Sequence, residues 1–217
     1  FCNVQPEDVI QSLDAETIYD VPNLMFDEGL DRVVLKKLDL DQTAQPKLKE
    51  WNAFLDRFKN PKSEVEIALI GKYVELKDSY KSISEALIHA GAANEVKVNI
   101  RWIHSEQLTR DNVPAQLANV DGILVAPGFG NRGIEGKIDA VRYAREQKIP
   151  FLGICFGMQM AVIEFSRNVL GLSDANSTEM DENTSNPVIS LMEDQKNIED
   201  MGGTMRLGAW DCTLNTD

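Results

Sequence analysis

The residue best placed to do chemistry in this sequence is a cysteine between two glycines. Gly153, Cys155 and Gly157 give the pattern G-x-C-x-G between an apolar strand and an amphipathic helix. A nucleophile elbow needs this spacing, because side chains two residues either side of the nucleophile would collide in so tight a turn. Such a turn exposes the thiol, directs the backbone N–H of Phe156 towards a developing oxyanion, and brings a helix start that favours the thiolate. A lone cysteine is more often simply buried, but the two glycines reverse that preference.

A second loop, PGFGNRG at residues 127–133, follows the apolar run DGILVA. Its three glycines let backbone N–H groups approach a ligand closely. Alone it would be read as a surface turn, but beside an elbow on a neighbouring strand it can supply a second oxyanion donor. Lys72 and Tyr73, which follow the strand VEIALIG, could line the same cleft together with Tyr80, although such residues at strand ends are usually only solvated.

The elements that must position these loops alternate between strand and helix from Val65 onwards. The strands VEIALIG, VKVNIRWI, DGILVA and IPFLGI are rich in apolar residues, and helical patterns separate them; Gly91 is expected to end the first of these helices. This order predicts a doubly wound, mostly parallel α/β sheet with helices on both faces. In such sheets ligands bind at the carboxyl ends of the strands, where both loops lie.

Residues 1–60 differ from the rest of the chain. They contain short apolar patches and one amphipathic helical stretch, PKLKEWNAFLDRFKN, which Asn60 and Pro61 end. This segment has the pattern of a tail and linker that belong to something larger. We therefore predict a boundary between a segment at residues 1–60 and an α/β domain at residues 61–217.

Composition excludes several classes of function. A formal net charge of −13 repels phosphate backbones, so nucleic acid is not an expected partner. Three cysteines without a CxxC pair predict neither a disulfide framework nor a metal site. The sequence also shows neither an apolar run of membrane-spanning length nor a signal peptide.

Taken together, the motifs resemble those of a known family. GICFGMQ and the PGFG loop resemble class I glutamine amidotransferases, whose domains have a flavodoxin-like fold. The longer blocks ALIGKYVELKDSYKSISEALIHAG, GFGNRGIEGKIDAVRYAR, DANSTE and MGGTMRLG resemble the CTP synthase family more specifically. FCNVQPEDVI and TIYDVPNLMFDEGLD resemble the end of that family's amidoligase domain and the linker after it, so the resemblance covers nearly the whole chain.

The resemblance implies a role for particular residues. Cys155 would attack the side-chain amide of L-glutamine and release ammonia, with the N–H groups of Gly128 and Phe156 as the oxyanion hole. The residues that would bind glutamine are Gly128, Phe156, Gly157, Met158, Gln159 and Glu179. The segment Arg132, Gly133 and Glu135 matches a loop linked to activation by GTP.

For the parent enzyme, the resemblance implies ATP-dependent amination of UTP to CTP, with Mg²⁺ accompanying ATP. Leu13, Asp14 and Ala15 match an ATP-contacting stretch, and Phe1 matches a position near the pyrimidine-nucleotide site. The family is a cytoplasmic homotetramer assembled through its amidoligase domain. No cofactor is expected to bind this chain by itself.

The base expected for Cys155 is missing. A class I triad needs a His, and a Glu two residues later, downstream of the elbow, but the two histidines of this chain, His89 and His104, both precede Cys155. We expect the triad to continue beyond Asp217 and this chain alone to be nearly inactive. Two alternatives stay open: a catalytically silent amidotransferase-like regulatory domain, and a DJ-1-like cysteine hydrolase.

Overall fold

The structure is a computed structural model, and it describes residues 3–43, 45–190 and 213. Seven α-helices and six strands occur in these residues. In chain order they are α1 Val21–Asp27, α2 Leu30–Lys37, α3 Lys49–Lys59, β1 Ser63–Gly71, α4 Lys81–Asn94, β2 Val96–His104, α5 Val113–Gln116, β3 Gly122–Val125, α6 Ile134–Gln147, β4 Phe151–Gly153, α7 Phe156–Asn168, β5 Asn176–Ser177 and β6 Pro187–Ile189. Short 3-10 helices cover Pro6–Asp8, Ile18–Asp20, Lys77–Tyr80 and Ser105–Gln107.

Contacts within the chain divide it into two compact units. The first holds residues 1–65 and 81–99, and the second holds residues 66–80 and 100–217. This division groups α4 with the N-terminal segment, because α4 packs against α3. The domain boundary between residues 60 and 61 is a different kind of division, and it stays a prediction.

The first unit is built around aromatic side chains. The ring of Tyr19 contacts the rings of Trp51, Phe54 and Phe58 on α3 and the imidazole of His89 on α4, at centroid distances of 5.1 to 5.9 Å. The helix α3 therefore presents the apolar face that its sequence spacing predicts, and it ends before Asn60 as expected. The short helices α1 and α2 were not predicted from the sequence.

Gly91 does not end α4, contrary to the sequence prediction. The helix continues to Asn94, and Glu95 then adopts a positive φ of 56°. A Cβ atom at Gly91 would lie 2.6 Å from the carbonyl oxygen of Val96. The glycine is thus needed for close packing of the helix against the start of β2, and not as a helix stop.

The second unit contains most of the sheet that positions the site. Its strand order is β2-β1-β3-β4, and both β1–β3 and β3–β4 are parallel. All four residues of β3 are buried, as a strand covered on both faces requires. Helices α6 and α7 pack against each other and against β3 and β4. The predicted α/β class with a mostly parallel sheet is confirmed.

No helix in the described part of the chain is both long enough and apolar enough to cross a membrane.

Candidate active site

The predicted elbow is present at Cys155. The residue precedes α7 with φ 52° and ψ −106°, a conformation that is strained for any side chain larger than glycine, and its side chain is exposed. A Cβ at Gly153 would lie 2.5 Å from the backbone carbon of Gly157, and a Cβ at Gly157 would lie 2.1 Å from the carbonyl oxygen of Val125. Both glycines are therefore required by the turn, as the spacing predicted.

The strand register brings the two glycine-containing loops to one edge of the sheet. Ile70 pairs with Val125, and Val125 pairs with Gly153, so β1, β3 and β4 end side by side. The backbone N–H of Ala126 donates to the carbonyl of Ile70 at 2.9 Å and continues this alignment by one residue. The loop after β3 and the elbow after β4 consequently leave adjacent strands in the same direction, as the position of a ligand site requires.

Of the three residues suggested for the cleft, Lys72 has the most contacts. It follows β1, is 5% exposed, and its ammonium group donates to the carbonyls of Phe129 and of Gly130, the latter at 3.0 Å. The hydroxyl of buried Tyr80 accepts from the N–H of Lys72 at 3.0 Å, whereas Tyr73 is half exposed. Lys72 and Tyr80 thus fix the end of β1 and the glycine-rich loop.

Sequence reasoning missed Lys137. This lysine lies on α6, its side chain is fully buried, and its ammonium group is 3.4 Å from the carbonyl oxygen of Ala126 and 4.8 Å from the ring centre of Phe156. A signal existed: Lys137 follows Ile134 by three residues and precedes Val141 by four, so it lies on the apolar stripe of the helix.

Four of the six residues predicted to bind glutamine, residues 156–159, lie in the first turn of α7, directly after the elbow. The N–H of Gln159 donates to the carbonyl of Cys155 at 3.2 Å, and its Oε1 is buried without a hydrogen-bond partner among the described residues. The side chain of Met158 is exposed. Glu179 is exposed, and its charge acts to raise the pKa of Lys72, against the larger lowering effects of burial and of Arg132. Glu179 is therefore electrostatically coupled to the lysine that holds the loop.

The loop that carries Glu179 is hydrogen-bonded through Asp174. Residues 173–186 are rich in Asp, Asn, Ser, Thr and Glu, a composition that predicts a mobile loop. The carboxylate of Asp174 accepts from the backbone N–H of Ser185 at 2.9 Å and from the side chains of Ser185 and Asn186. These hydrogen bonds lower the pKa of Asp174 to about 2.

The predicted effector residues are engaged within the chain. Arg132 forms an ion pair with Glu106 at 3.2 Å, and Glu135 pairs with Arg167 at 3.1 Å. Gly133 has a packing role of its own, because a Cβ there would lie 2.4 Å from the hydroxyl of buried Ser105. Their assignment to GTP stays a prediction.

In the first unit, the predicted ATP-contacting stretch borders a cavity of about 300 Å³. Leu13 is exposed, and Asp14 and Ala15 line the cavity with Glu16, Asp20 and Lys59. The ammonium group of Lys59 is already paired with Asp20 at 2.8 Å. Three acidic side chains around one paired lysine do not by themselves attract a polyphosphate, and the ATP assignment stays a prediction.

Both histidines have partners of their own. His89 Nε2 is 2.9 Å from the hydroxyl of Tyr19. His104 Nδ1 accepts from the N–H of Glu106 at 3.2 Å, and its Nε2 lies 3.6 Å from Glu75. Among the described residues, no group of three or more His, Cys, Asp or Glu side chains could hold a metal ion. The positions predicted at Phe1 and in MGGTMRLG, residues 201–208, lie outside the described residues.

Comparison with known proteins agrees with this geometry. The family described as glutamine amidotransferase class-I matches residues 75–216. A CTP synthase of Flavobacterium psychrophilum is 71% identical over 215 residues, which are 99% of this chain and 40% of that protein. A CTP synthase of Methanocaldococcus jannaschii is 58% identical over 220 residues, covering 99% of this chain and 41% of that protein. The chain thus spans about two fifths of the length of these relatives.

A solved structure is similar as well. It is described as the glutaminase domain of Trypanosoma brucei CTPS with bound acivicin. The TM-score is 0.58 at 41% sequence identity, and the match covers 61% of this chain and 52% of that one.

Proposed function

The chain belongs to the class-I glutamine amidotransferase family, and on this premise we propose that it is the glutamine-hydrolysing part of a CTP synthase. The observation that supports the proposal best is the elbow: Cys155 stands exposed at the start of α7, next to a glycine-rich loop on the neighbouring strand. Relatives of high identity carry the name CTP synthase over nearly the whole of this chain.

The proposed reaction begins with attack by the thiolate of Cys155 on the side-chain amide carbon of L-glutamine. The C–S bond forms, and the carbonyl π electrons move onto oxygen, where the N–H groups of Gly128 and Phe156 stabilise the oxyanion. Collapse of this intermediate breaks the C–N bond, and the nitrogen leaves as ammonia after taking up a proton. Water then hydrolyses the thioester to glutamate and restores the thiol.

Glutamine would be held by groups around the elbow. The unpartnered Oε1 of Gln159 can accept a hydrogen bond, and the carboxylate of Glu179 suits the α-ammonium group of the substrate. Proton transfer needs a base, and both histidines of the chain have other partners. The proposal therefore assigns the base to a histidine that these 217 residues do not contain.

For the whole protein, we propose that the ammonia aminates UTP. ATP, bound with Mg²⁺, would phosphorylate the uracil oxygen, and ammonia would displace the phosphate to give CTP, ADP and phosphate. GTP would activate glutamine hydrolysis through the segment Arg132–Glu135, and Leu13, Asp14 and Ala15 would contact ATP. The expected assembly is a homotetramer in the cytoplasm.

The test uses the full-length protein that carries this sequence. Cys155→Ala should lower glutamine-dependent CTP formation by at least about 10³-fold, while CTP formation from added ammonium salt stays within about twofold, because the thiol acts only in ammonia release. Retained glutamine-dependent activity would contradict the proposal and favour the silent regulatory domain.

A second measurement addresses glutamine recognition in the chain itself. The Trypanosoma brucei domain binds acivicin. Acivicin should also add covalently to Cys155 of this chain, which intact-mass spectrometry detects. Excess glutamine should slow the addition. The variant Cys155→Ser should show no addition. If acivicin labels Cys155 at the same rate with and without glutamine, the result would favour the DJ-1-like cysteine hydrolase.

A further inference from the structure

A buried ammonium group lies beside the elbow, and no carboxylate of the described residues is paired with it. Among the described residues, the polar contact of the Lys137 side chain is the carbonyl oxygen of Ala126, at 3.4 Å, and the face of the Phe156 ring lies 4.8 Å away. Burying a charge without an opposite charge costs free energy. Burial, and to a smaller extent the charge of Lys72, accordingly lowers the pKa of Lys137 to about 8. Because burying this charge costs free energy, packing does not explain why a lysine stands at position 137.

A second lysine approaches the same ring from the end of β1. The ammonium group of Lys72 is 5.7 Å from the ring centre of Phe156 and donates to the carbonyls of Phe129 and Gly130. The two lysines thus contact one aromatic ring and three carbonyls of the loop that follows β3. Phe156 is itself 2% exposed, so its backbone is fixed by a packed side chain.

Gly128 lies between the carbonyls that the lysines hold. Lys137 contacts the peptide before Pro127, and Lys72 contacts the peptides that follow Phe129 and Gly130. A Cβ at Gly128 would be 3.6 Å from the Lys137 ammonium group, so this charge lies within van der Waals reach of that residue. The orientation of the Gly128 N–H is therefore constrained from both sides by hydrogen bonds to flanking carbonyls.

We propose that Lys137, with Lys72, is a positioning residue of the oxyanion hole. The two ammonium groups hold the 126–130 loop and the Phe156 ring so that the N–H groups of Gly128 and Phe156 converge on the amide oxygen of glutamine. Their positive charges also lower the energy of that oxygen when it becomes negative, because the surrounding protein screens them little. This inference rests on the proposed glutamine hydrolysis.

Few charged groups near Lys137 affect its pKa, so the pH dependence of the reaction can report its charge state. On α6 itself the nearest charged groups in sequence are Glu135 and Asp139, and β3 and β4 carry none. The elements packed against α6 carry Glu106, Glu164 and Arg167, and the segments that follow β1, β3, β4 and β5 carry Lys72, Arg132, Cys155 and Glu179. Of all these, Lys72 is the one whose charge affects the pKa of Lys137. Hydrolysis in the wild-type protein should therefore lose rate as the pH rises through about 8.

The test is steady-state glutamine hydrolysis by the full-length protein as a function of pH. Lys137→Met keeps an unbranched side chain of similar length and removes the charge. We expect the kcat of this variant at pH 7 to fall about 10- to 100-fold, which does not exceed the fall in kcat caused by removing one direct oxyanion donor. The KM for glutamine should stay within about threefold of the wild-type value. The fall in wild-type kcat above pH 8 should be absent from the variant. Lys72→Met should show the same split between kcat and KM, and Lys148→Met, which removes an exposed lysine at the end of the same helix, should match the wild type.

Iodoacetamide alkylation separates the oxyanion hole from the thiol, because this reaction forms no oxyanion. Its rate at Cys155 should be unchanged by Lys137→Met. A variant kcat within threefold of the wild type, or an equal fall in kcat and in alkylation rate, would overturn the inference. Absence of glutamine hydrolysis by the wild-type protein would instead overturn the proposed function, and this inference with it.

Discussion

The polar groups around Tyr19 in the first compact unit and those around the elbow in the second are paired to different extents. In the first unit, the hydroxyl of Tyr19 donates to Glu85 and lies 2.9 Å from His89 Nε2, and the indole N–H of Trp51 donates to the Tyr19 carbonyl at 2.9 Å. In the second unit, Lys137 has a carbonyl and a ring but no described carboxylate, and Gln159 Oε1 has no described partner. A network whose members satisfy one another stabilises a fold, whereas an unsatisfied buried group beside the elbow is available to a ligand.

The electrostatic consequences follow the same contrast. Burial and the hydrogen bond with Glu85 raise the pKa of Tyr19 to about 12, so its hydroxyl stays a donor at any physiological pH. Burial lowers the pKa of Lys137 to about 8, which brings its titration close to the physiological range. The Tyr19 hydroxyl thus stays protonated, whereas the Lys137 ammonium group can lose its proton near physiological pH.

The largest effect is expected from overfilling the elbow. In Gly157→Ala the new Cβ would lie 2.1 Å from the Val125 carbonyl, which forces the strand and helix apart. We expect a loss of about 3 kcal/mol in the free energy of unfolding, measured by urea denaturation. Gly128→Ala is the matched control, because its Cβ would meet Lys137 at an ordinary 3.6 Å. Equal stability of the two variants would show that the elbow can relax.

Removing the buried charge should have the opposite sign. Lys137→Met should raise the free energy of unfolding by about 3 kcal/mol at pH 7, because each unit of pKa displacement corresponds to about 1.4 kcal/mol and the pKa is lowered from 10.5 to about 8. Between those values the unfolded wild-type chain binds more protons than the folded one, so wild-type stability rises with pH and the advantage of the variant shrinks.

Urea denaturation at pH 7 and pH 10 measures this difference, with Lys148→Met as the control at an exposed lysine. A Lys137→Met variant less stable than the wild type at pH 7 would mean that the ammonium group stabilises the fold. The contrast between the stabilising network around Tyr19 and the destabilising buried charge of Lys137 would then not hold.

A smaller loss is expected from the satisfied network. Tyr19→Phe removes the hydroxyl that Glu85 and His89 share, and the partly buried partners lose a hydrogen bond. We expect a destabilisation of about 1 to 2 kcal/mol in urea, with no change in the rate at which iodoacetamide alkylates Cys155. Tyr143→Phe serves as the control, because the Tyr143 hydroxyl has no hydrogen-bond partner among the described residues. If both variants have the same stability, the network contributes nothing.

The smallest effect is expected at Asp174, an exposed residue. Its hydrogen bonds lower the pKa from 3.8 to about 2, so their contribution is complete above pH 4 and is lost as the pH falls through about 2. Asp174→Asn should remove it at neutral pH. Amide hydrogen exchange at Ser185 should become faster in the variant, while exchange in β3 stays the same. Unchanged exchange at Ser185 would show that the turn does not depend on the carboxylate.

Several features were predictable because local spacing dictates them. The pattern G-x-C-x-G predicts the elbow, since only glycine fits where a Cβ would meet backbone atoms at 2.1 to 2.6 Å. The period of apolar residues likewise predicts α3, and the apolar-rich strands predict a sheet covered on both faces. The short helices α1 and α2 carry no such pattern, because their apolar patches are too brief to define a period.

Other features depended on which elements meet. Gly91 reads as a helix stop, but it is the close approach of β2 that requires it. Gly133 reads as part of an effector loop, and the structure adds its contact with Ser105. A glycine has the same appearance in a sequence whether it serves a turn or a close contact, so the choice between these roles needs the neighbouring element.

The sequence by itself determined the cysteine elbow, the two glycine-containing loops, the class of fold and the family resemblance, because each follows from residue types at short, fixed offsets. Only the tertiary structure decided that Lys137 and Lys72 approach one Phe156 ring and hold the loop around Gly128. These residues come from β1, α6 and α7, and their distances are set by strand register and helix packing. No offset along the chain encodes that convergence.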